Sequence, residues 1–167
     1  MNISNTGIEL IKHFEDCKLK PYLCSAGFPT IGWGNTMYKN GRRVKLTDRP
    51  ITQTEADDLF MFWVNQFDED VDSLVTAPVI AQHQFDALVS FAYNVGSDID
   101  QDSIPEGLGD SRLLKLVNNN PNDPNIINEF LKWNKSKGKV SNGLVRRRTV
   151  EAYYYSTGKL DLKRKQL

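Results

Sequence analysis

The chain has little of what disulfide-rich, metal-binding and membrane proteins contain. Its 167 residues include only two cysteines, Cys17 and Cys24, and two histidines. Two cysteines make no disulfide framework and lack zinc spacing, so we expect both thiols to be reduced. No apolar run approaches a membrane span, and the N-terminal residues lack the pattern of a signal peptide. We therefore expect the protein to be made and retained in the cytoplasm.

The formal net charge of the chain is zero, but its charged residues are unevenly distributed. Residues 1–129 carry ten Lys and Arg against nineteen Asp and Glu, whereas residues 130–167 carry eleven against two. A basic C-terminal segment favours contact with an anionic partner, which can be nucleic acid, a lipid headgroup or a cell-wall polymer. A solvated basic face without a partner explains the pattern about equally well.

The first third of the chain predicts a short helix followed by a small antiparallel sheet. Apolar residues at helical spacing end near Glu15, and a proline soon after stops the helix. Residues 22–24 and 28–33 are β-like and are separated by a turn at 25–27. Residues 44–46 are a further β-like segment beyond a second turn. We expect these segments to form a meander.

The remainder of the chain predicts helices only. The capping box at 52–55 begins a long apolar stripe. Further helices are expected after Pro78 as far as Gly96, and at 111–117, 126–133 and 144–155. The fold class is therefore α+β, with the sheet segregated at one end and a cleft between two lobes. The expected parts are a sheet lobe at about 16–50, a linker helix at about 53–75, a helical lobe at about 76–157 with residues 1–15, and a basic tail at 158–167.

Glu15 is a candidate acid because it lies where the first predicted helix ends. The negative end of the helix dipole disfavours a charged carboxylate there, and Phe14 and residues 22–23 can desolvate it. Both effects predict a raised pKa, and a carboxylic acid kept protonated near neutral pH can donate a proton to a departing glycosidic oxygen. A solvated glutamate at a helix end is the plainer interpretation.

Two more polar residues lie on the predicted hairpin. Eight residues separate Glu15 from Cys24, and five more separate Cys24 from Thr30. Paired strands can place Cys24 and Thr30 on one face, and the short helix-to-strand connection can bring Glu15 over that face. The three groups are therefore expected to converge.

This spacing resembles the signature of the phage-type lysozymes, the endolysin muramidases of glycoside hydrolase family 24. Their pattern is a Glu, an Asp or Cys after eight residues, and a Thr after five more. The run TIGWGNT at 30–36 is similar to the family's TIGYGHT, although Asn35 stands where the family usually has His. The segments HQFDALVSFAYNVG at 83–96 and GLVRRRTVEAYYY at 143–155 extend the resemblance across most of the chain.

The resemblance implies a lysozyme-like fold and hydrolysis of the β-1,4 bond between N-acetylmuramic acid and N-acetylglucosamine in peptidoglycan, with lysis of the host cell. It makes Glu15 the general acid, puts Cys24 at the position of a second carboxylate, and lets Thr30 place a water or the sugar. Cys24 can act as a thiolate base or nucleophile, as a weak polar neighbour, or as a space-filler. We favour assistance to water.

The resemblance also suggests substrate contacts and partners. Trp33, within the hairpin motif, can stack on a sugar ring, and Asn94 can hydrogen-bond a sugar, although a core tryptophan and a helix C-cap are the plainer interpretations. No cofactor, metal or nucleic acid is implied, and a monomer is expected. Peptidoglycan strands are the expected substrate, the basic segment can contact an anionic cell envelope, and a separate holin-like membrane protein must release the enzyme to the periplasmic wall.

Three alternatives stay open at this point. A lytic transglycosylase needs one Glu and no second carboxylate, and leaves an anhydro sugar. A wall-binding module without activity would not need Glu15. A cysteine peptidase would use Cys24 with His13 or His83, but the spacing supports this least.

Overall fold

The computed structural model describes residues 1–24, 26–100 and 106–167. Its helices and strands are, in chain order, α1 (Asn5–Phe14), β1 (Lys18–Leu23), β2 (Pro29–Gly32), α2 (Gln53–Leu74), α3 (Gln82–Val95), α4 (Arg112–Asn119), α5 (Ile126–Lys132), β3 (Lys135–Ser136), β4 (Lys139–Val140) and α6 (Asn142–Thr157). The predicted α+β class is confirmed. In the described parts of the chain, no helix is both long and apolar enough to cross a membrane.

The chain forms two compact units. Residues 12–66 make one, which we call the hairpin unit, and residues 1–11 with 67–167 make the other, which we call the helical unit. The division falls within α1 and within α2.

The hairpin unit is built on the antiparallel pair β1 and β2. Tyr22 pairs with Thr30 and Leu23 with Pro29, and the register is irregular between Lys18 and Tyr22. Of the predicted turn at 25–27, Ser25 lies outside the described residues, while the Gly27 N–H donates to the Cys24 carbonyl at 2.8 Å. The unit's core consists of buried apolar side chains from β2, the following loop and α2, namely Ile31, Val44, Ile51, Ala56 and Leu59.

The predicted third strand at 44–46 is wrong. Among the described residues the loop after β2 makes isolated bridges instead, between Ile31 and Asn35 and between Met37 and Arg43. The Val44 side chain is buried in the core, but the next backbone N–H, that of Lys45, donates to the Asp48 carboxylate at 2.8 Å. Because a side chain takes this donor, the segment does not extend the ladder.

The start of α2 agrees with its predicted capping box. The Glu55 N–H donates to Thr52 Oγ1 at 3.1 Å, and the Thr52 N–H donates to Glu55 Oε2 at 2.7 Å. Two donors that the first helical turn leaves without a helical partner are thereby satisfied.

The helical unit packs α3 and α5 against α6, and α4 against α5. Its predicted helices are all present. Ser111 caps α4 by accepting the Leu114 N–H at 3.0 Å, and α3 ends at Gly96, whose φ of 103° favours glycine. An aromatic cluster fills part of the core, with Phe91 contacting Phe130 at 5.5 Å and Trp133 at 5.4 Å between ring centroids.

The expectation of helices only after α2 is wrong at one place. Strands β3 and β4 form a hairpin between α5 and α6, with Lys135 paired to Val140 and Ser136 to Lys139. Its turn residues Lys137 and Gly138 have φ angles of 50° and 76°. Two consecutive positive φ angles are what a tight two-residue hairpin turn requires.

Candidate active site

Glu15 follows α1 directly, and its backbone N–H donates to the Lys12 carbonyl at 3.3 Å. Its side chain is partly buried, and its carboxylate lies against Gly34 of the loop after β2. A Cβ atom at Gly34 would lie 2.6 Å from Glu15 Oε2, and the φ of this glycine is +84°. Gly34 therefore provides the space that the carboxylate occupies. Gly34 lies in the motif at 30–36, but its role depends on a contact that the sequence pattern does not show.

Pairing of β1 with β2 brings Cys24 and Thr30 together. The Cys24 N–H donates to the Phe28 carbonyl at 3.0 Å, which continues the ladder one residue beyond the Leu23 and Pro29 pair. The Thr30 side chain is only 1% exposed, whereas Cys24 is partly exposed. The thiol is therefore the more accessible group of this pair.

The turn of this hairpin stabilises the ionised form of Cys24. Desolvation raises the pKa of the thiol, but hydrogen bonds from the Phe28 N–H, the Thr30 hydroxyl, and the Ala26 and Gly27 N–H groups outweigh it and bring the pKa below its ordinary value. Successive backbone N–H groups that point to one atom make an anion-binding concavity. More of Cys24 is therefore thiolate at neutral pH than of an ordinary cysteine.

The Thr30 hydroxyl has two acceptors within reach. It donates to the Phe28 carbonyl at 2.9 Å, and it also hydrogen-bonds the Cys24 sulfur. A hydroxyl has one proton, so only one acceptor receives it at a time, and its oxygen lone pairs remain able to accept a hydrogen bond.

The comparisons with known proteins agree with this geometry. A family model described as phage lysozyme matches residues 12–151, which is most of the chain and includes every residue of the site described so far. The chain belongs to the phage lysozyme family. The resemblance inferred from the sequence motifs is thereby confirmed.

Several relatives of the family are similar over nearly all of this chain. An endolysin of Bacillus phage B103 is 43% identical over 160 residues, which cover 95% of this chain. The match covers 55% of the B103 protein, so the chain spans about half the length of that relative.

Two solved structures in turn are covered almost completely by this chain. The endolysin from Escherichia coli O157:H7 phage FAHEc1 superposes with a TM-score of 0.80 at 34% identity, over 96% of this chain and 97% of that one. The muramidase domain of SpmX from Asticaccaulis excentricus gives a TM-score of 0.73 at 32% identity, over 93% and 98%. These matches support the lysozyme-like fold over nearly all of the chain.

Tyr22 adds a hydroxyl to the candidate site. From the sequence, Tyr22 is expected only to desolvate Glu15. Burial raises the pKa of the Tyr22 phenol, and the negative charges of Glu15 and Cys24 raise it further. Because both charges act on the phenol, its hydroxyl lies within electrostatic range of the two predicted catalytic groups.

Trp33, a predicted sugar contact, is half-buried and packs beside the core of the hairpin unit. Its indole N–H donates to Asp57 Oδ1 at 2.8 Å, and the Lys12 ammonium lies 4.6 Å from its ring centroid. Lys12 and Asp57 also form an ion pair at 3.0 Å. These contacts hold the ring in one orientation.

Asn94, the other predicted sugar contact, lies exposed near the end of α3 in the helical unit. Its Oδ1 accepts a hydrogen bond from the Arg148 guanidinium. Arg148 is fully buried and pairs with the fully buried Glu151 at 2.9 Å. The Asn94 side chain is therefore held through its carbonyl oxygen, which directs its amide N–H donors away from Arg148.

Within the described residues, no group of three or more His, Cys, Asp or Glu side chains is arranged to hold a metal ion. The His13 ring is exposed and packs edge-on against Phe14 at 4.9 Å, and the His83 ring packs against Tyr154 at 6.2 Å.

Proposed function

We propose that this chain is an endolysin muramidase that hydrolyses the β-1,4 bond between N-acetylmuramic acid and N-acetylglucosamine in bacterial peptidoglycan and so lyses the host cell. One observation carries the proposal, namely that the hairpin unit contains both a partly buried carboxylate, Glu15, and a thiol, Cys24, whose ionised form is stabilised. Family membership supports a glycoside hydrolase, and the relative described as a muramidase domain supports this bond.

Glu15 acts as the general acid. It donates its proton to the glycosidic oxygen as the bond to the anomeric carbon breaks. The side chain is partly buried, and its carboxyl group occupies the space that Gly34 leaves open. The general acid of a glycosidase must be correctly positioned to be effective, and a side chain larger than that of Gly34 would displace it.

Cys24 and Thr30 assist the attacking water. The thiolate accepts a proton from the water as its oxygen bonds to the anomeric carbon, and the Thr30 hydroxyl oxygen accepts a hydrogen bond from the other water proton. After the step Glu15 is a carboxylate and Cys24 a thiol, and exchange with solvent returns the proton. The lowered pKa of Cys24 supports this role over that of a space-filler.

Trp33 and Asn94 contact sugars in this proposal. The Trp33 ring is fixed by Asp57 and Lys12, so it can offer a preoriented apolar face to a sugar ring. Asn94 is exposed, and its amide N–H donors can bind a hydroxyl or an acetamido carbonyl.

The remaining partners follow from the same proposal. The enzyme is made in the host cytoplasm as a monomer without a cofactor, and a holin-like membrane protein releases it to the periplasmic wall. The basic C-terminal segment meets the anionic cell envelope. Its backbone is anchored, because the Arg146 guanidinium donates to the Leu162 carbonyl at 3.0 Å, while Lys159, Lys163 and Lys165 are exposed and can contact anions.

A lytic transglycosylase is the second candidate, because Cys24 stands where a second carboxylate is expected. Such an enzyme closes the muramic acid on itself and needs no attacking water, so its products carry an anhydro sugar. The stabilised thiolate favours the hydrolase, since a transglycosylase has no use for a second anionic group there.

The test is mass spectrometry of the products released from purified peptidoglycan by the intact chain, by Glu15→Gln, and by Glu9→Gln as a control. Glu9 is an exposed acid of α1, the helix that Glu15 follows. We expect reducing-end muramic acid products from the intact chain and the control, and none from Glu15→Gln.

Other products would decide between the alternatives. Anhydromuramic products would establish the transglycosylase, and cleaved peptides would establish a peptidase. Binding without any product, unaffected by Glu15→Gln, would establish a wall-binding module.

A further inference from the structure

Tyr22 lies on the same face of the hairpin as the two predicted water-assisting groups. It pairs directly with Thr30 across the strands, and it precedes Cys24 by two residues on its own strand. Side chains alternate between faces along a strand, and directly paired residues share a face with Cβ atoms about 5 Å apart. The three side chains therefore project from the same face of the hairpin.

The chemistry of the Tyr22 phenol restricts what it can do there. It is half-buried, and burial together with the charges of Glu15 and Cys24 keeps it protonated. A phenol that does not ionise cannot act as a base, but it remains a hydrogen-bond donor. The Lys18 ammonium lies 4.3 Å from its ring centroid, which helps to fix the ring.

We propose that Tyr22 is the third ligand of the attacking water, to which its hydroxyl donates a hydrogen bond beside Cys24 and Thr30. This inference rests on the proposed hydrolytic function. It adds a catalytic residue from the hairpin itself to the pattern of Glu15, Cys24 and Thr30.

The three groups match the hydrogen-bonding capacity of one water molecule. Water has two protons and two lone pairs. The Cys24 thiolate and the Thr30 oxygen each accept a hydrogen bond from one water O–H, and Tyr22 donates a hydrogen bond to one lone pair, so the other lone pair is directed to the anomeric carbon. When the new bond to carbon forms, one proton passes to the Cys24 sulfur, and the leaving oxygen takes the proton of Glu15. Tyr22 neither gains nor loses a proton.

The experiment compares Tyr22→Phe, Thr30→Val and the double variant on purified peptidoglycan, with release of reducing ends as the readout. Tyr38→Phe is the matched control, since Tyr38 belongs to the same unit but donates to Asp48 Oδ2 at 3.1 Å. The melting temperature of each variant is also measured. Binding of wall fragments is measured with the inactive Glu15→Gln variant, with and without Tyr22→Phe.

We expect Tyr22→Phe to lower kcat by about 10- to 100-fold, with KM, melting temperature and fragment binding unchanged, because it removes only a contact to the reacting water. The double variant should lose less than the product of the two single losses, because both residues hold one water. Tyr38→Phe should keep the wild-type rate.

Several outcomes would overturn the inference. These are a kcat for Tyr22→Phe within twofold of wild type, a change in KM or fragment binding alone, and losses in the double variant that multiply. If the intact chain releases anhydro products or none, the proposed hydrolysis fails, and the inference fails with it. If it releases reducing-end products and Tyr22→Phe does so at the full rate, the inference fails alone.

Discussion

The hairpin unit and the helical unit differ in the exposure of their main polar clusters. Around Cys24 in the hairpin unit, backbone N–H groups and one hydroxyl surround a thiol that stays partly exposed. In the helical unit, Arg147, Arg148 and Glu151 are all buried. There Arg147 Nε donates to Glu151 Oε1 at 3.0 Å, and Ser90 Oγ donates to the same oxygen at 2.8 Å.

The difference separates a reactive anion from a structural one. Donors prearranged around a partly exposed anion stabilise it while leaving it accessible to water or substrate. The Glu151 carboxylate is surrounded by protein groups and has no exposed surface, so it can only hold helices α3 and α6 together. Burial together with the number of donors, rather than charge alone, therefore indicates which polar cluster can do chemistry.

The largest expected effect is on the buried network. Glu151→Gln should lower the free energy of unfolding by about 3–5 kcal/mol, because removal of one member of a buried charge cluster leaves the other charges uncompensated. Urea denaturation would measure the loss.

Glu129→Gln is the matched control for this experiment. Glu129 is also largely buried, but its partners Lys132 and Arg112 have side chains that are 61% and 73% exposed. Because water can replace the lost contacts of these cations, we expect a loss of about 1 kcal/mol. Equal losses in the two variants would contradict the distinction between the two kinds of cluster.

The next effect concerns the hairpin unit and changes activity rather than stability. Gly34→Ala should lower kcat by about 100-fold, because its new methyl group would displace the Glu15 carboxylate and misplaced catalytic groups lose about this much. Rates of reducing-end release measure the effect.

Gly41→Ala separates the displacement of Glu15 from backbone strain. Gly41 has a similar φ of +77°, but a Cβ atom there meets nothing within 4 Å. Both alanines introduce strain at a positive φ, whereas only the one at residue 34 meets the carboxylate. Similar losses of kcat in both variants would show that strain, rather than contact with Glu15, is responsible.

Local signals in the sequence were sufficient for most of the fold. The capping box at Thr52 and Glu55 identified the start of α2, and Gly96 identified the end of α3. Both depend on residues close together in the chain. The hairpin β3–β4 was missed because strands of two residues show no alternation, although Gly138 after Lys137 was a possible turn signal.

The candidate site was predictable only in part, for a related reason. Spacing alone placed Cys24 and Thr30 on adjacent arms of one turn, because a hairpin is a local structure. The proximity of Gly34 to Glu15 depends on how the loop after β2 folds back towards the end of α1, which no local pattern specifies. Similarly, Tyr22 resembled an apolar neighbour until the register with Thr30 was known.

The smallest expected effect tests how the hairpin stabilises its anion. Desolvation raises the pKa of Cys24, and the Thr30 hydroxyl is one of the donors that bring it below the ordinary value. Thr30→Val removes this donor and should therefore raise the pKa, so less thiolate is present at a given pH. In a Cys17→Ser background, the rate of alkylation by iodoacetamide should rise at a higher pH than in the parent, while Thr30→Ser should follow the parent. An unchanged curve for Thr30→Val would mean that the backbone N–H groups of the turn stabilise the thiolate without the hydroxyl. The hydroxyl would then donate only to the Phe28 carbonyl. The side-chain donor of the hairpin would in that case be structural, as those of the helical unit are.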